Sequence, residues 1–372
     1  MPENDSDEFA LALAALLHDV GKVAQRYTPG ETHQSLGSRF VLNLGTIPER
    51  VRKDVSTLVK LHHEKEVGKL GLPHQMENLL AILKKADHAS ASHDREDRDP
   101  DAFKSEPRME KIYRYVNINS ADKRDARYFP LVTVSSLRSS VSEDGRFQFK
   151  DITYEKIYKD LLRIVEKIPY REPRSYFNTL DSVLMEYLTF VPSAFYYSKP
   201  NITLYDHLRL TAALAVSLHR TKKSSSAGKL VLIMGEASGI QQYIFNSMVS
   251  EGVDDKATKR MRGRSFMVRL ATDAVVSYLL SQLDLFRFNV VWQKADGFLI
   301  IAPFSDDIVG KLELIRDAVD RSFLNLNRGI KVSLGFQTVG IEDLGENENE
   351  EFRLVLAKLS MEISKSKVKP LS

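Results

Sequence analysis

The segment Leu16–Lys22, which reads LLHDVGK, follows a run of apolar residues and governs how the amino-terminal part of the chain folds. The apolar positions up to this segment recur at helical spacing, which predicts an amphipathic helix that ends at His18 and Asp19. Those positions are Phe9, Leu13, Leu16, Leu17 and Val20. An imidazole and a carboxylate side by side on a rigid helix end can bind a metal ion, and Asp19 can bridge two ions.

Histidine is concentrated in the same part of the chain. Seven of the nine histidines lie in the first 93 residues. Apolar stripes predict two more helices there, one containing Val51–Val59 and one running from Met76 towards Asp87. The ends of separate helices can bring ligands together in one pocket. The predicted metal ligands are His18, Asp19, His33, His62, His63 and Asp87. Lys22 is predicted to face a bound phosphate.

The remaining histidines are predicted to lie outside this site. His74 follows a proline in a turn, and His88 and His93 border a charged segment, so all three are predicted to be solvated. His207 and His219 belong to another region of the chain and are predicted to be core or surface residues.

The donor types restrict the chemistry of the site. The chain has no cysteine, which excludes disulfides, thiol nucleophiles, iron–sulfur clusters and thiolate-bound zinc. Imidazole and carboxylate ligands suit divalent transition metals such as Mn, Ni or Co. Two such ions about 3.5–4 Å apart can clamp a phosphodiester and supply the attacking hydroxide. The residues therefore predict two-metal hydrolysis.

Composition and length limit the number of domains and the class of protein. A chain of 372 residues is long enough for two or three domains, and its 43% apolar and 28% charged residues are typical of globular proteins. The net charge of +3 neither requires nor excludes a polyanionic partner. The apolar run 9–17 is too short to span a bilayer, so no signal peptide or membrane partner is predicted and a cytoplasmic location is expected.

The pattern changes twice along the chain. A charged stretch at 94–108 and the segment 221–228 (TKKSSSAG) are predicted linkers. Between them, an extended piece at 128–134, a polar hairpin-like stretch at 135–150 and three helices are predicted. After residue 229 the predicted order is β-α-β-β-α-β, the ferredoxin-like arrangement of polymerase and cyclase palms. The predicted fold class is α+β, with domains at 1–94, 95–228 and 229–372.

The histidine constellation resembles the HD superfamily of metal-dependent phosphohydrolases. In most of that superfamily a lone histidine precedes the His-Asp pair by many residues, whereas only 17 residues precede His18. With further ligands all downstream, the chain is similar to the circularly permuted HD domain in the large subunit of type III CRISPR effector complexes.

A second pattern supports that resemblance. Gly235–Gln241 (GEASGIQ) follows a predicted strand, and Arg262–Phe266 (RGRSF) is predicted to open a long helix after a basic cluster at 256–264. Together they resemble the first palm domain of the same subunit, in its Csm-type (III-A) branch. The resemblance implies that the palm helps to bind ATP. The implied residues are Gly235, Ser238, Gly239, Gln241, Arg262, Gly263, Arg264 and Ser265.

The palm departs from the family pattern in two ways. Glu236 stands where an aspartate is expected, and the hairpin Lys294–Gly297 (KADG) replaces the Gly-Gly-Asp-Asp sequence that carries cyclase metals. One aspartate beside a lysine is poorly suited to hold two Mg²⁺ ions. The family carries its catalytic hairpin in a second palm, so a truncated chain or a split subunit is expected.

The resemblance implies a nuclease of antiviral defence. Its HD domain would cleave single-stranded DNA once the CRISPR RNA of the complex pairs with target RNA, in company with other Csm-type subunits. The full-length subunit would make cyclic oligoadenylates. Two alternatives stay open: a stand-alone HD phosphohydrolase acting on nucleotides with a regulatory palm, and a non-catalytic scaffold subunit.

Overall fold

The computed structural model describes residues 3–91, 108–111, 128–138, 151–194, 200–221, 228–250, 257–326, 329–344 and 349–368. The chain forms two compact units, Met1–His219 (unit 1) and Arg220–Ser372 (unit 2). None of the helices in the described part of the chain is both long and apolar enough to cross a bilayer.

Unit 1 is helical. Its amino-terminal helices are α1 (Glu3–Leu17), α2 (Gly21–Gln25), α3 (His33–Leu42), α4 (Glu49–Leu61) and α5 (His74–Ala91). They are followed by α6 (Val134–Arg138), α7 (Tyr154–Val165), α8 (Pro173–Leu188) and α9 (Leu204–Thr221). The three predicted helices of the middle region are confirmed as α7, α8 and α9.

Helix α1 lies at the centre of unit 1. Every residue from Phe9 to Leu17 is at most 3% exposed, so this part of the helix is buried on all sides and not on one stripe as predicted. Helices α4 and α5 pack against α1 on one side. On another side the Phe9 ring contacts the rings of Tyr170, Tyr176 and Phe177 at centroid distances of 4.9–5.8 Å. The later helices of unit 1 therefore complete the core around α1.

The region between α5 and α7 differs from its prediction where it is described. Residues 134–138 form helix α6 and not part of a polar hairpin. The rest of the predicted hairpin (139–150) and most of the two predicted linkers (94–107 and 222–227) lie outside the described residues. Tyr128 forms an isolated antiparallel bridge with Glu110.

Unit 2 is a four-stranded antiparallel sheet with helices. Its elements are β1 (Lys229–Ser238), α10 (Ile240–Ser250), α11 (Ala257–Gln282), β2 (Val290–Lys294), β3 (Gly297–Pro303), α12 (Ile308–Leu326), β4 (Lys331–Gly340) and α13 (Asn349–Val368). The strand order is β2-β3-β1-β4. This is the ferredoxin-like order, so the predicted α+β fold with a palm is confirmed.

Opposite faces of the sheet are covered by different helices. Alternate strand residues such as Val332 and Leu334 join α11 and α12 in one apolar core. Gly335 points the other way and faces Leu359 and Ile363 of α13. The Glu362 carboxylate of α13 accepts a hydrogen bond from the backbone N–H of Phe336 at 3.0 Å, which covers part of the edge strand β4.

Two boundaries of unit 2 differ from the predictions. Strand β1 continues through Gly235–Ser238, which pair with Leu334–Lys331 of β4, so the predicted turn begins only at Gly239. Helix α11 begins at Ala257 and not near Ser265, because the basic residues in between favour helix and a single exposed glycine costs only about 1 kcal/mol. The described part of the predicted basic cluster thus lies inside α11.

The fold gives Gly235 a packing role that can be tested. A Cβ at Gly235 would lie 2.3 Å from the buried Phe298 ring, so Gly235→Ala should lower the free energy of unfolding of unit 2 by about 1–3 kcal/mol. Denaturant unfolding followed by the fluorescence of Trp292, the single tryptophan, measures this unit. Gly263→Ala is the control, because nothing lies within 4 Å of a Cβ there. Equal midpoints for the two variants would contradict the packing role.

Candidate metal centre

The His18–Asp19 pair is held by the buried end of α1. His18 is 0% exposed and Asp19 is 2% exposed. Three residues separate α1 from α2. In α2 the Lys22 ammonium contacts the Asp19 carboxylate at 2.5 Å and donates to the Ser193 carbonyl oxygen at 2.9 Å. Asp19 is therefore a buried carboxylate with a cation on one side.

The oxygen Oδ1 of Asp19 belongs to the first ligand group, which we call the outer group. It consists of Asp19, His33, His62 and His63, and its ligand atoms all lie within 4.8 Å of one another. His33 Nε2 lies 3.2 Å and His62 Nε2 lies 3.6 Å from Asp19 Oδ1. These three atoms are buried and have no hydrogen-bond partner. Such a set of unsatisfied ligand atoms fits a cation.

The other oxygen of Asp19, Oδ2, belongs to a second set, which we call the inner group. It consists of His18, Asp19, Asp87 and His207. His207 Nε2 lies 3.3 Å from both Asp19 Oδ2 and Asp87 Oδ1, and His18 Nε2 lies 3.3 Å from Asp87 Oδ1. Asp19 thus offers one oxygen to each group, which is the geometry of a carboxylate that bridges two ions.

Helix ends explain how two of these imidazoles are oriented. The last carbonyl groups of a helix lack intrahelical partners. His18 directly follows α1, and its Nδ1 lies 2.9 Å from the carbonyl oxygen of Ala15 in the last turn of that helix. His62 directly follows α4, and its Nδ1 lies 2.7 Å from the carbonyl oxygen of Val59 in the same way. A carbonyl only accepts, so Nδ1 carries the proton in both rings. Nε2 of each ring then points into the site, as in metal-ligating histidines.

In the inner group, neighbouring charges favour a protonated His18 beside an ionised Asp19. Burial lowers the pKa of His18, but the Asp19 and Asp87 carboxylates outweigh it and raise that pKa to about 10. Burial raises the pKa of Asp19, yet Lys22 and His18 hold it well below its usual range. In the outer group, burial and then His62 lower the pKa of His63 to about 4, so its lone pair is available at neutral pH.

The donor set fits divalent transition metal ions. Each group offers imidazole nitrogens and carboxylate oxygen without thiolate, a combination suited to Mn, Co, Ni, Fe or Zn. The structure brings together the six residues that the sequence predicted as ligands, across α1, α3, α4 and α5. Their role as ligands stays a prediction.

His207 is the residue that the sequence interpretation missed. It was placed outside the site, which is wrong, because its ring lies in the inner group. A usable signal was present. If the domain is circularly permuted, the helix with the lone histidine that precedes the pair in other HD proteins must come later in the chain, and α9 supplies a histidine there. His74 and His88 are exposed as predicted, and His93 lies outside the described residues.

The predicted nucleotide-binding residues of unit 2 lie around the starts of α10 and α11. Gly239 turns the chain at φ 76° between β1 and α10, and Gln241 is exposed in the first turn of α10. Arg264 of α11 donates to the Tyr243 carbonyl at 2.9 Å. Arg262, Gly263 and Ser265 are exposed, whereas Gly235 is buried and Ser238 donates to the Lys331 carbonyl at 3.3 Å.

The two acidic positions of this palm are paired with lysines. Lys367 Nζ lies 2.9 Å from Glu236 Oε2, and Lys294 Nζ lies 3.2 Å from Asp296 Oδ1. Each carboxylate therefore already has a cation beside it, which agrees with the departure from the cyclase hairpin seen in the sequence.

The comparison with protein families follows the division of the chain. A family model of the HD domain matches residues 2–92, and one described as Csm1 subunit domain B matches residues 229–372. The CRISPR system single-strand-specific deoxyribonuclease Cas10/Csm1 (subtype III-A) of Thermococcus onnurineus is 30% identical over 365 residues. That alignment covers 90% of this chain and 43% of the relative.

Solved structures give the same result. Crystal structures of a Csm1–Csm4 cassette in complex with cA4 and with AMPPNP each match with a TM-score of 0.72 and 25% identity. Each match covers 98% of this chain and 49% of the Csm1 chain. The fold and the site thus define an HD-domain protein joined to a ferredoxin-like palm. The chain belongs to the Cas10/Csm1 family of type III-A CRISPR systems and spans about half the length of the relatives it matches.

Gly21 of the HD segment positions the outer group. A Cβ at Gly21 would lie 1.9 Å from the His33 carbonyl oxygen and 2.6 Å from the Gly37 nitrogen, so α3 approaches α2 only because this residue is glycine. Gly21→Ala should push His33 away from Asp19 and lower the free energy of unfolding of unit 1 by about 1–3 kcal/mol. Thermal unfolding followed by circular dichroism measures the loss.

Gly45→Ala is the matched control, because nothing lies within 4 Å of a Cβ at that position. The Trp292 fluorescence transition of unit 2 should stay unchanged in both variants. An unaltered unit 1 transition in Gly21→Ala would show that α2 and α3 do not need this close approach.

Proposed function

We propose that unit 1 is a metal-dependent phosphodiesterase that cleaves single-stranded DNA with two divalent transition metal ions. The observation that carries the proposal is the division of Asp19, with Oδ1 in the outer group and Oδ2 in the inner group. The substrate class comes from the similarity to a single-strand-specific deoxyribonuclease. His18, Asp19, Asp87 and His207 would hold one ion, and Asp19, His33, His62 and His63 the other.

The inner group is more deeply buried than the outer group, which indicates the side from which a substrate would reach the site. The inner histidines are at most 3% exposed, whereas His63 is exposed and the His33 side chain is 16% exposed. A strand of DNA would therefore reach the site from the side of the outer group. Bound ions would supply a hydroxide nucleophile and neutralise the phosphate. Among the protein's own residues, Lys22 would add positive charge beside Asp19 as charge develops on the phosphate.

The second part of the proposal concerns the palm of unit 2. Unit 2 would bind ATP together with a second palm. In the full-length subunit, that second palm would make cyclic oligoadenylates. Similarity to Csm1–Csm4 structures with cA4 and AMPPNP supports this. The full-length subunit would work with other Csm subunits, a CRISPR RNA and a target RNA that activates the nuclease.

Removing a ligand tests the nuclease. Asp19→Ala and His207→Ala should each reduce Mn²⁺-dependent cleavage of single-stranded DNA by more than roughly 100-fold. Loss of a group that only hydrogen-bonds a metal ligand costs up to about 100-fold, and loss of a ligand itself should cost more. His74→Ala is the control because His74 is exposed and lies outside both groups. Cleavage is measured with a labelled oligonucleotide and the full chain.

Two outcomes would contradict the assignment. Cleavage that survives Asp19→Ala would remove the shared ligand from the mechanism. Hydrolysis of nucleoside triphosphates or cyclic nucleotides without cleavage of DNA would favour the nucleotide phosphohydrolase, and failure of the wild-type chain to bind metal would favour the scaffold.

Charge removal on α11 tests the palm. Arg262 is exposed and would make a charge-assisted bond to a phosphate, so Arg262→Ala should weaken ATP binding by roughly tenfold. Arg269→Ala is the control, because this arginine of the same helix pairs with Asp273 at 2.8 Å. Calorimetry with ATP, on the full-length subunit that contains both palms, measures both. Equal losses would indicate a general effect of charge and not a phosphate site.

A further inference from the structure

His207 differs from the other buried histidines of the site in its position on a helix. His18 and His62 directly follow helices, where free carbonyl groups accept from Nδ1. His207 lies in the first turn of α9, where the unpaired backbone groups are N–H donors. A helix start offers no carbonyl to fix the ring. Another element must therefore orient this imidazole.

The neighbour of His207 Nδ1 is a buried hydroxyl from α5. Ser90 is 3% exposed, and its Oγ lies 3.1 Å from His207 Nδ1 and 3.2 Å from the His207 carbonyl oxygen. A hydroxyl has one proton to donate and two lone pairs to accept with. The arrangement that satisfies both contacts has the hydroxyl donate to the carbonyl, which can only accept, while the hydroxyl oxygen accepts from Nδ1–H.

This direction of hydrogen bonds fixes the tautomer of His207. With the proton on Nδ1, the lone pair of Nε2 points towards Asp19 and Asp87, 3.3 Å away. The result is the same as for His18 and His62, reached through a side chain in place of a helix end. We propose that Ser90 is a positioning residue that orients His207 and sets its tautomer for metal binding in the inner group.

The spacing on α5 supports this role. Asp87 and Ser90 lie three residues apart, so they share one face of the helix. One helix face thus supplies a carboxylate to the inner group and a hydroxyl to its histidine. A metal-ligating histidine commonly donates its second ring N–H to a protein group, and loss of that group costs about 10- to 100-fold in metal affinity.

The inference rests on the proposed two-metal function and is tested by metal binding alone. Mn²⁺ is titrated into the metal-free full chain, with calorimetry for affinity and stoichiometry and electron paramagnetic resonance for coupling between two ions. Ser90→Ala should weaken one of two sites by about 10- to 100-fold and remove the coupled signal at low Mn²⁺. Ser90→Thr keeps the hydroxyl and should restore both.

Ser56→Ala is the matched control. Ser56 is also buried in unit 1, but its hydroxyl lies 2.7 Å from that of Ser38 and outside both ligand groups. The Ser56→Ala variant should bind Mn²⁺ as the wild type does. Thermal unfolding of the metal-free variants shows whether each one is folded.

The outcomes separate this inference from the function on which it rests. Wild-type affinity in Ser90→Ala overturns the positioning role, as does an equal loss in Ser56→Ala, which would indicate a packing effect. A loss in Ser90→Thr as large as in Ser90→Ala also overturns it. If the wild-type chain binds no Mn²⁺, the proposed function itself fails and the inference fails with it.

Discussion

The buried carboxylate of Asp19 constrains the arrangement of the helices around it. A buried charge is costly unless it is paired and hydrogen-bonded, and removing one partner leaves an uncompensated charge. The groups around this carboxylate come from both near and distant parts of the chain: His18, Lys22, His33, His62 and His207. The positions of α2, α3 and α9 and of the end of α4 are therefore set by one side chain with two oxygens. Asp87 on α5 joins them through the same histidines.

The burial of residues 9–17 of α1 explains why this centre is not contained in the HD region alone. Residues 2–92 match the HD family model, but the Phe9 side of α1 is covered by rings from the α7–α8 region, and the inner group takes His207 from α9. The position of the Asp19 carboxylate depends on α1, because Asp19 lies in the turn that directly follows that helix. The later helices of unit 1 are thus part of the site and of its support.

Local patterns in the sequence were enough for most of the site. The sequence LLHDVGK and the clustered histidines predicted six ligand candidates, and the strand and helix order predicted the palm, because each depends on short-range periodicity. His207 could not be found in this way, since nothing near it in sequence marks a ligand. The predicted start of α11 near Ser265 was wrong because it followed the apolar residues of the helix, whereas the preceding basic residues are also helix formers and the exposed Gly263 does not end the helix.

The distance along the chain between the two halves of the inner group has a consequence for synthesis. His18 and His207 are 189 residues apart, yet their Nε2 atoms lie 3.2 Å from each other. Domains form as the polypeptide leaves the ribosome, amino-terminal parts first. A nascent or prematurely ended polypeptide that carries only residues 2–92 lacks the His207 imidazole of the inner group. Translation order therefore leaves the inner group without His207 until the rest of unit 1 has been made.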